Sequence, residues 1–260
     1  MSFTPPPNLL ATLGAYAGIR RVQLRGRNAA ISNSAETIWA AGGTYAQLST
    51  AAALEAVSSS ANDASAGTGA RTITVELIDG NYAKSTVTVT LNGTTPVAIT
   101  GTFISVNSVR VATAGSGGTN AGTIDIRTVS GSTVKSSIST GATLGLGQAA
   151  DFIYTVPAST YGVLSSIDFS ATGVTGDLTV YLNTIDSSGI TRNEGAGKSS
   201  LYVTAFNGAR GKIFFGNGLV ISPRTTIELR AIVSAGAGDL VAMAELLLIT
   251  QGVNQFVPAP

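Results

Sequence analysis

Apolar and small polar residues alternate along most of the chain beyond residue 70. The alternation is clearest in RTITVELI (71–78) and KSTVTVTL (84–91), where Val, Ile or Leu occupies every second position. A period of two places alternate side chains on opposite faces of a β-strand. The intervening DGNYA carries Asp79-Gly80, a dipeptide typical of tight hairpin turns. The pattern therefore predicts two strands joined as a hairpin.

Similar strand candidates, separated by turn residues, continue to the end of the chain. They are TFISVNSVRVAT (102–113), GTIDIRTVS (122–130), STVKSSI (132–138), DFIYTVP (151–157), GVLSSIDFSA (162–171), GDLTVYLNTID (176–186), SSLYVTAF (199–206), GKIFF (211–215), TTIELRAIVSA (225–235) and DLVAMAELLLIT (239–250). Many short strands without helical crossovers indicate an all-β fold. We predict an antiparallel β-sandwich or jelly roll, built from two β units with an extended N-terminal arm.

Two segments are ambiguous in the pattern. Residues 45–61 combine helix-forming Ala, Leu and Glu with flanking Ser and Thr, so a short helix and a strand or loop both stay open. The loop GSGGTNAG (115–122) could cradle a phosphate or turn between two strands. A dinucleotide loop needs a third glycine and a following helix. Asn120 and the strand-like TIDIRTV (123–129) occupy those places, which favours a hairpin turn.

The ends of the chain differ from its middle. Residues 1–30 are predicted to form an extended basic arm, because Pro5, Pro6 and Pro7 exclude helix and Arg20, Arg21, Arg25 and Arg27 precede the first acidic residue. The arginines could equally be the solvated face of an edge strand. A small β domain at 31–98, a jelly-roll domain at 99–250 and an extended tail at 251–260 complete the predicted organisation, with the boundary placed near Pro96.

Composition removes whole classes of chemistry. The 260 residues include no cysteine and no histidine, which excludes thiolate nucleophiles, imidazole-based triads and Cys/His zinc sites. Charged residues make up 11% of the chain and the net charge is +1. Lys and Arg are few and dispersed, so we predict no nucleic-acid partner. The most apolar run, 240–249, is too short to span a bilayer, and we predict no membrane partner.

The remaining catalytic motifs are incomplete, and we predict no catalytic residue, cofactor or metal site. NEGAGKSS (193–200) has Gly197-Lys198-Ser199 of a P-loop but Arg192 where the first glycine belongs. Ser132 and Lys135 have the S-x-x-K spacing, which brings the two together on a helix but not on a strand. Paired carboxylates could hydrolyse glycosides, and the candidates are Asp151, Asp168, Asp177, Asp186, Glu194, Glu228, Asp239 and Glu245.

Three stretches resemble virion structural proteins. SANDASAGTGARTITVELIDGNYAKSTVTVTLNGTTPV (60–97), FISVNSVRVATAGSGGTNAGTIDIRT (103–128) and FIYTVPASTYGVLSSIDFS (152–170) are similar to segments of structural proteins of tailed bacteriophages and related double-stranded DNA viruses. There the Tyr-Thr-Val-Pro-Ala strand commonly continues into Gly-Lys, whereas this chain continues into Ser159, Thr160 and Tyr161. The resemblance implies a jelly-roll or sandwich subunit without catalytic residues, found in virions assembled in the host cytoplasm.

From these observations we expect a non-enzymatic subunit that decorates or cements a capsid. Its partners would be copies of itself, as a trimer or other cyclic oligomer, and the major capsid or other virion proteins. The expected inter-subunit contacts come from the arm and the tail, namely Pro5, Pro6, Pro7, Arg20, Arg21, Arg25, Arg27, Gln255 and Phe256. Two alternatives stay open: a tail, baseplate, vertex or fibre component that contacts host polysaccharide, and a polysaccharide-active enzyme on a β scaffold.

Overall fold

The computed structural model describes residues 18–140, 147–194, 201–204 and 209–252. Every regular element in these ranges is a β-strand. The strands are β1 (Ile19–Ile31), β2 (Glu36–Thr37), β3 (Ala52–Ser58), β4 (Ala70–Asp79), β5 (Lys84–Thr90), β6 (Val97–Ala114), β7 (Ile124–Thr128), β8 (Val134–Ile138), β9 (Ile153–Thr155), β10 (Thr160–Ile185), β11 (Thr191–Glu194), β12 (Leu201–Thr204), β13 (Ala209–Ile221) and β14 (Thr226–Thr250).

The strands form two curled antiparallel sheets in a sandwich-like arrangement, which confirms the predicted fold class. Sheet I runs in the order β1-β14-β10-β11, with β12 and β13 also pairing with β10 and with β2 and β9 pairing with β14. Sheet II runs in the order β5-β4-β6-β3-β7-β8. Each sheet buries its own apolar cluster. A third small cluster of Trp39, Tyr45 and Ile153, with Val134 against it, lies where the two sheets meet.

The chain passes twice between the two sheets. The chain begins in sheet I with β1 and β2, crosses to sheet II for β3 to β8, and returns to sheet I from β9 onward. Strand β6 starts at Val97 and pairs with both β3 and β4. Pro96 therefore ends a turn within sheet II, because the strand after it takes its ladder partners from the strands before it.

The segment predicted to be an arm is, in its described part, a strand of sheet I. Arg20, Arg21, Arg25 and Arg27 lie in β1, which pairs along its length with β14 at the edge of the sheet. The edge-strand interpretation of the arginines is therefore the one observed. Apolar Val22 and Leu24 pack toward the core of sheet I, on the side of the strand opposite Arg21, Arg25 and Arg27, which is why this basic segment is ordered against β14. Pro5, Pro6, Pro7, Gln255 and Phe256 lie outside the described residues.

The ambiguous segment at 45–61 contains a strand, and the described part of the chain has no helix there. Residues 52–58 form β3 at the middle of sheet II, with Leu54 and Ala56 fully buried. Ala and Leu favour helix in isolation, but pairing on both sides with β6 and β7 outweighs that propensity. The predicted hairpin at Asp79-Gly80 is confirmed: the Asp79 carboxylate accepts hydrogen bonds from the backbone N–H of Asn81 and Ala83, each at 2.8 Å.

In two places, two predicted strands that follow each other in sequence form one continuous strand in the structure. The candidates at 162–171 and 176–186 belong to one 26-residue strand, β10, and those at 225–235 and 239–250 belong to the 25-residue β14. The glycines between them, including Gly173, Gly176 and Gly236, have positive φ values of 73°, 96° and 77°. They produce bulges where the register of β10 and β14 shifts, so that the paired strands bend together instead of reversing.

The glycine loop at 115–122 does not join a hairpin. Strand β6 before it pairs with β3 and β4, while β7 after it pairs with β3 and β8. A Cβ on Gly115 would lie 2.2 Å from the carbonyl oxygen of Gly67, and one on Gly122 would lie 2.6 Å from the backbone nitrogen of Ser60. The loop is rich in glycine because it lies against the backbone of the loop at 60–69.

An internal carboxylate holds these two loops together. Asp63 is fully buried. Its Oδ1 accepts hydrogen bonds from the N–H of Ala70 and Ala121, and its Oδ2 accepts from the N–H of Gly122 and the hydroxyl of Ser58, at 2.6–2.9 Å. The loop therefore does bind an anion through its backbone, but that anion is the side chain of Asp63.

Candidate functional site

The motifs with partial catalytic signatures are not assembled into a site. Ser132 lies in the turn before β8 with a φ of 51°, whereas Lys135 is a buried residue of β8. The ammonium of Lys135 donates to the carbonyl of Ala46 at 2.5 Å and lies 5.5 Å from the centre of the Tyr45 ring. Burial lowers the pKa of Lys135. Most of the P-loop-like NEGAGKSS lies outside the described residues.

The candidate carboxylates are dispersed. Asp168 pairs with Lys212 at 3.4 Å on sheet I, while Asp186 accepts hydrogen bonds from Ser188 and Ile190 at the tip of the β10–β11 hairpin. Glu228 is buried and accepts a hydrogen bond from the hydroxyl of Thr37. Within the described ranges, no three acidic side chains come together to bind a metal ion. The same residues include no helix of the length and apolar character that a membrane crossing needs.

Asp151 is the carboxyl group most altered by its surroundings. It accepts hydrogen bonds from the N–H of Ala40 at 3.1 Å, the hydroxyl of Ser136 at 2.6 Å and the N–H of Ser137 at 3.3 Å. Burial, the largest influence, raises the pKa of Asp151 to about 6, although these donors act in the opposite direction. The residue connects the loop at 39–43 to β8, so its ionisation affects the junction of the two sheets.

The raised pKa makes the fold less stable as this group ionises. Between pH 4 and 6 the folded state holds a proton that the unfolded chain, with an ordinary aspartate pKa, has released, so the contribution of Asp151 to the free energy of unfolding falls as the pH rises. Because Asp151 keeps part of its surface exposed, we expect a loss of about 1–2 kcal/mol. Urea unfolding across this pH range should show a larger loss in the wild type and in the exposed control Asp177→Asn than in Asp151→Asn, where burial still raises the pKa of Glu228. If the free energy of unfolding changed with pH in the same way in all three proteins, Asp151 would not be the source of the loss.

The arginines of β1 mostly find partners within the chain. Arg27 makes a bidentate ion pair with Asp239 of β14, with N–O distances of 2.6–3.1 Å. Arg21 pairs with Glu245 at 2.5 Å, and Arg25 donates to the side chain of Gln23 at 3.2 Å. Arg20 reaches across to Glu76 of sheet II at 3.5 Å. The sequence marked these residues for contacts between subunits, and the structure shows their contacts within one subunit.

Sheet I has an outward face with unusually exposed apolar side chains. In β14 the even-numbered residues from Leu240 to Leu248 are buried, so the odd-numbered ones point away from the core. We call the exposed apolar set on this side the outer face. Its members and exposed fractions are Phe214 (68%), Val220 (63%), Met243 (50%), Tyr161 (40%) and Val241 (40%).

Strand register brings these residues together. Val220 of β13 lies opposite Val163 of β10, which lies opposite Leu247 of β14. Met243 lies opposite Asp168 in the same way, and Asp168 lies opposite Lys212. The outer face is therefore a continuous surface across three strands, with ion pairs set among apolar side chains. Each of the pairs Lys212–Asp168, Arg27–Asp239 and Arg21–Glu245 is made within the chain.

A second surface feature is a groove along the free edge of β1. It has a volume of about 320 Å³ and runs between β1 and β6. Four arginines and two carboxylates line it, namely Arg20, Arg21, Arg25, Arg110, Glu76 and Asp151. Tyr154 also lines it, is 1% exposed, and has a hydroxyl group without a hydrogen-bond partner among the described residues.

No protein-family model matches the sequence, and no curated protein matches it. Solved structures of infectious bursal disease virus are similar over 92% of this chain. The Gt strain structure has 13% identity, a TM-score of 0.27 and 74% of its own chain covered, and the VP2 subviral particle has 12% identity, a TM-score of 0.25 and 74% covered. At these values the likeness carries no argument about function, and it does not bear on the resemblance to tailed bacteriophages.

Sequence reasoning did not find the outer face or the groove. The alternation in DLVAMAELLLIT places Val241, Met243, Glu245 and Leu247 on one side of the strand. Three of these four side chains are apolar, so the pattern indicates that the side of the strand facing away from the core is itself largely apolar. That signal is weak because a strand buried on both sides has the same composition. The groove depends on residues from distant parts of the chain, and no local pattern reports them.

Proposed function

We propose that the protein is a non-enzymatic virion structural subunit, a capsid decoration or other capsid-associated protein that acts through its outer face. The observation that carries the proposal is the exposure of Phe214, Val220 and Met243 together on one sheet. Large apolar side chains grouped on a surface are typical of protein–protein contacts. The sequence resemblance to virion structural proteins supports the same class.

The occupant of the outer face that best fits its chemistry is a second copy of the chain. Three ion pairs on this surface are already made within the subunit, so covering them leaves those six charges paired. With a net charge of +1, copies of the chain do not repel one another strongly. Closed rings such as trimers repeat one interface without leaving it open. Other virion proteins, including a major capsid protein, would then bind the assembled ring.

The predicted contacts of the arm and the tail remain part of this proposal. Arg21, Arg25 and Arg27 sit on the outward side of an edge strand beside the outer face, where a neighbour packed on that face would meet them, whereas Arg20 points toward Glu76 of sheet II. Pro5, Pro6, Pro7, Gln255 and Phe256 are proposed to extend the same contact. The protein would accordingly be located in the virion, assembled in the host cytoplasm.

Self-association tests the outer face directly. We expect sedimentation velocity to show an oligomer for the wild-type chain and a monomer for the double variant Phe214→Asp/Met243→Asp, because each aspartate would be desolvated in the contact. The matched control is Val129→Asp, which changes a residue that is 50% exposed in the turn after β7 and should leave the oligomer intact. Circular dichroism would establish that all three proteins are folded. A wild type that stays monomeric at every concentration would contradict the proposal.

The place in the particle is tested by copy number. Quantitative mass spectrometry of purified virions should find the chain in numbers comparable to the main shell protein. Numbers equal to those of tail or vertex proteins would support the tail alternative instead. Turnover of a polysaccharide that is lost on a single carboxylate substitution, such as Asp186→Asn, would support the enzyme alternative and overturn the proposed role.

A further inference from the structure

Strand β1 leaves backbone groups unpaired along one edge. The backbone N–H of Thr250 donates to Gly18, so the even-numbered residues of β1 face β14, whereas the N–H of Arg27 donates to Ala150 on the opposite side. Hydrogen-bonding direction alternates along a strand. The N–H and C=O groups of Gln23 and Arg25 therefore point away from β14, and no backbone hydrogen bond joins them to a described residue on that side.

These free groups open into the groove between β1 and β6. On the far side, the segment at 147–150 bonds to β6, with the N–H of Val111 donating to Gly147 and the N–H of Ala149 donating to Val109. The segment meets β1 only at Arg27, through Ala150. The groove thus begins where this pairing stops, and its volume of about 320 Å³ has room for a few residues of extended chain.

The charges around the groove select the occupant. Arg110 is exposed at its rim and makes no ion pair with a carboxylate among the described residues. Arg20 is only 3.5 Å from Glu76, whose carboxylate has a closer partner in Lys84 at 2.6 Å. Two guanidinium groups are therefore placed to receive additional carboxylates, with which arginine forms its strongest hydrogen bonds.

The wall of the groove holds an unused donor. The hydroxyl of Tyr154 is buried and has no hydrogen-bond partner among the described residues. Burial and the nearby carboxylate of Glu76 raise the pKa of Tyr154, while the side chains of Arg20 and Asn107 beside its oxygen act in the opposite direction, so the hydroxyl keeps its proton and can donate it. Buried polar groups are nearly always satisfied in folded proteins. A buried donor without a partner, in a groove with free backbone groups, points to a ligand that provides acceptors.

We propose that this groove binds an extended acidic segment of a partner protein, which adds as a strand to the free edge of β1 while its carboxylates meet Arg20 and Arg110. Main-chain pairing would supply affinity and the arginines would supply selectivity, as in other cases of strand addition. The described residues of this chain contain no run of acidic residues that could fill the groove of a second copy. The inference does not depend on the proposed function.

The test uses the full chain and a short fluorescein-labelled peptide of alternating threonine and glutamate residues. We expect its fluorescence anisotropy to rise on titration with protein, and a peptide of alternating threonine and lysine to give no change. Arg20→Gln and Arg110→Gln should each weaken binding about tenfold. Arg210→Gln removes an exposed arginine of β13, outside the groove, and should bind as the wild type does.

Two further measurements separate strand addition from a simple charge contact. N-methylation of alternate peptide nitrogens should abolish binding, and the amides of Gln23 and Arg25 should exchange more slowly with solvent when the peptide is bound. The proposal is overturned if no binding occurs, if the methylated peptide binds equally well, or if free glutamate displaces the peptide at matched carboxylate concentration. It is also overturned if the groove variants change the oligomeric state, because the groove would then be a contact between copies.

Discussion

Replacing Asp63 by asparagine is expected to destabilise the fold by about 3–5 kcal/mol. The carboxylate accepts four hydrogen bonds, from three backbone N–H groups and the hydroxyl of Ser58. An asparagine amide presents one oxygen and an NH2 group, so two of the four donors would face another donor. Each buried donor left unsatisfied costs about 1–3 kcal/mol.

The effect should be large because Asp63 connects elements far apart in the sequence. It links the end of β3 through Ser58, the start of β4 through Ala70 and the loop before β7 through Gly122. Losing it would release three strand ends of sheet II at once. The carbonyl of Asp63 also accepts from the N–H of Gly93 at 2.7 Å, so the turn after β5 depends on the same residue.

Urea unfolding at neutral pH measures this directly. The matched control is Asp177→Asn, which makes the same chemical change at an exposed position in β10 and should alter the free energy of unfolding by less than about 0.5 kcal/mol. The variant Asp63→Ser replaces the carboxylate with a smaller side chain that has a single hydroxyl group, and it should also be strongly destabilised. Equal stability of Asp63→Asn and the wild type would show that the loops are held by other contacts.

The sequence predicted the local elements of this fold better than their connections. The hairpin of β4 and β5 follows from alternation and Asp79-Gly80, since both signals lie within a few residues of each other. The glycines at 115–122 correctly predicted a loop, but the prediction that this loop joins a hairpin was wrong. Glycine in a turn and glycine under a neighbouring backbone are alike in sequence, and only the Cβ contact with Gly67 distinguishes them.

The long strands also could not be predicted from local sequence signals. Gly173, Gly176 and Gly236 look like turn residues, yet β10 and β14 continue through them as bulges because both strands bend at matching points. Pairing between residues that are tens of positions apart decides this outcome. The candidate surfaces depend on it too: Phe214, Val220 and Met243 form one face only because β13 and β14 both pair with β10.

Replacing Gly26 by alanine is expected to destabilise the fold almost as much as replacing Asp63 by asparagine, for a steric reason. A Cβ on Gly26 would lie 2.3 Å from the carbonyl oxygen of Ile38 and 2.7 Å from the Cβ of Phe152. That carbonyl accepts a hydrogen bond from the N–H of Phe152 at 2.9 Å. Both neighbours are fully buried, so neither can move without opening the core of sheet I.

We expect Gly26→Ala to lower the free energy of unfolding by about 3 kcal/mol or more, since overpacking costs about 1–3 kcal/mol and the loss of a buried backbone hydrogen bond adds to it. Thermal unfolding should be compared with Gly80→Ala, where the new Cβ would lie 3.2 Å from Ala51 at an exposed turn. Both variants restrict the unfolded chain equally, so the difference between them isolates the clash. If Gly26→Ala were as stable as Gly80→Ala, β1 would not be packed against Ile38 and Phe152. The edge strand that borders both the outer face and the groove would then need a different position.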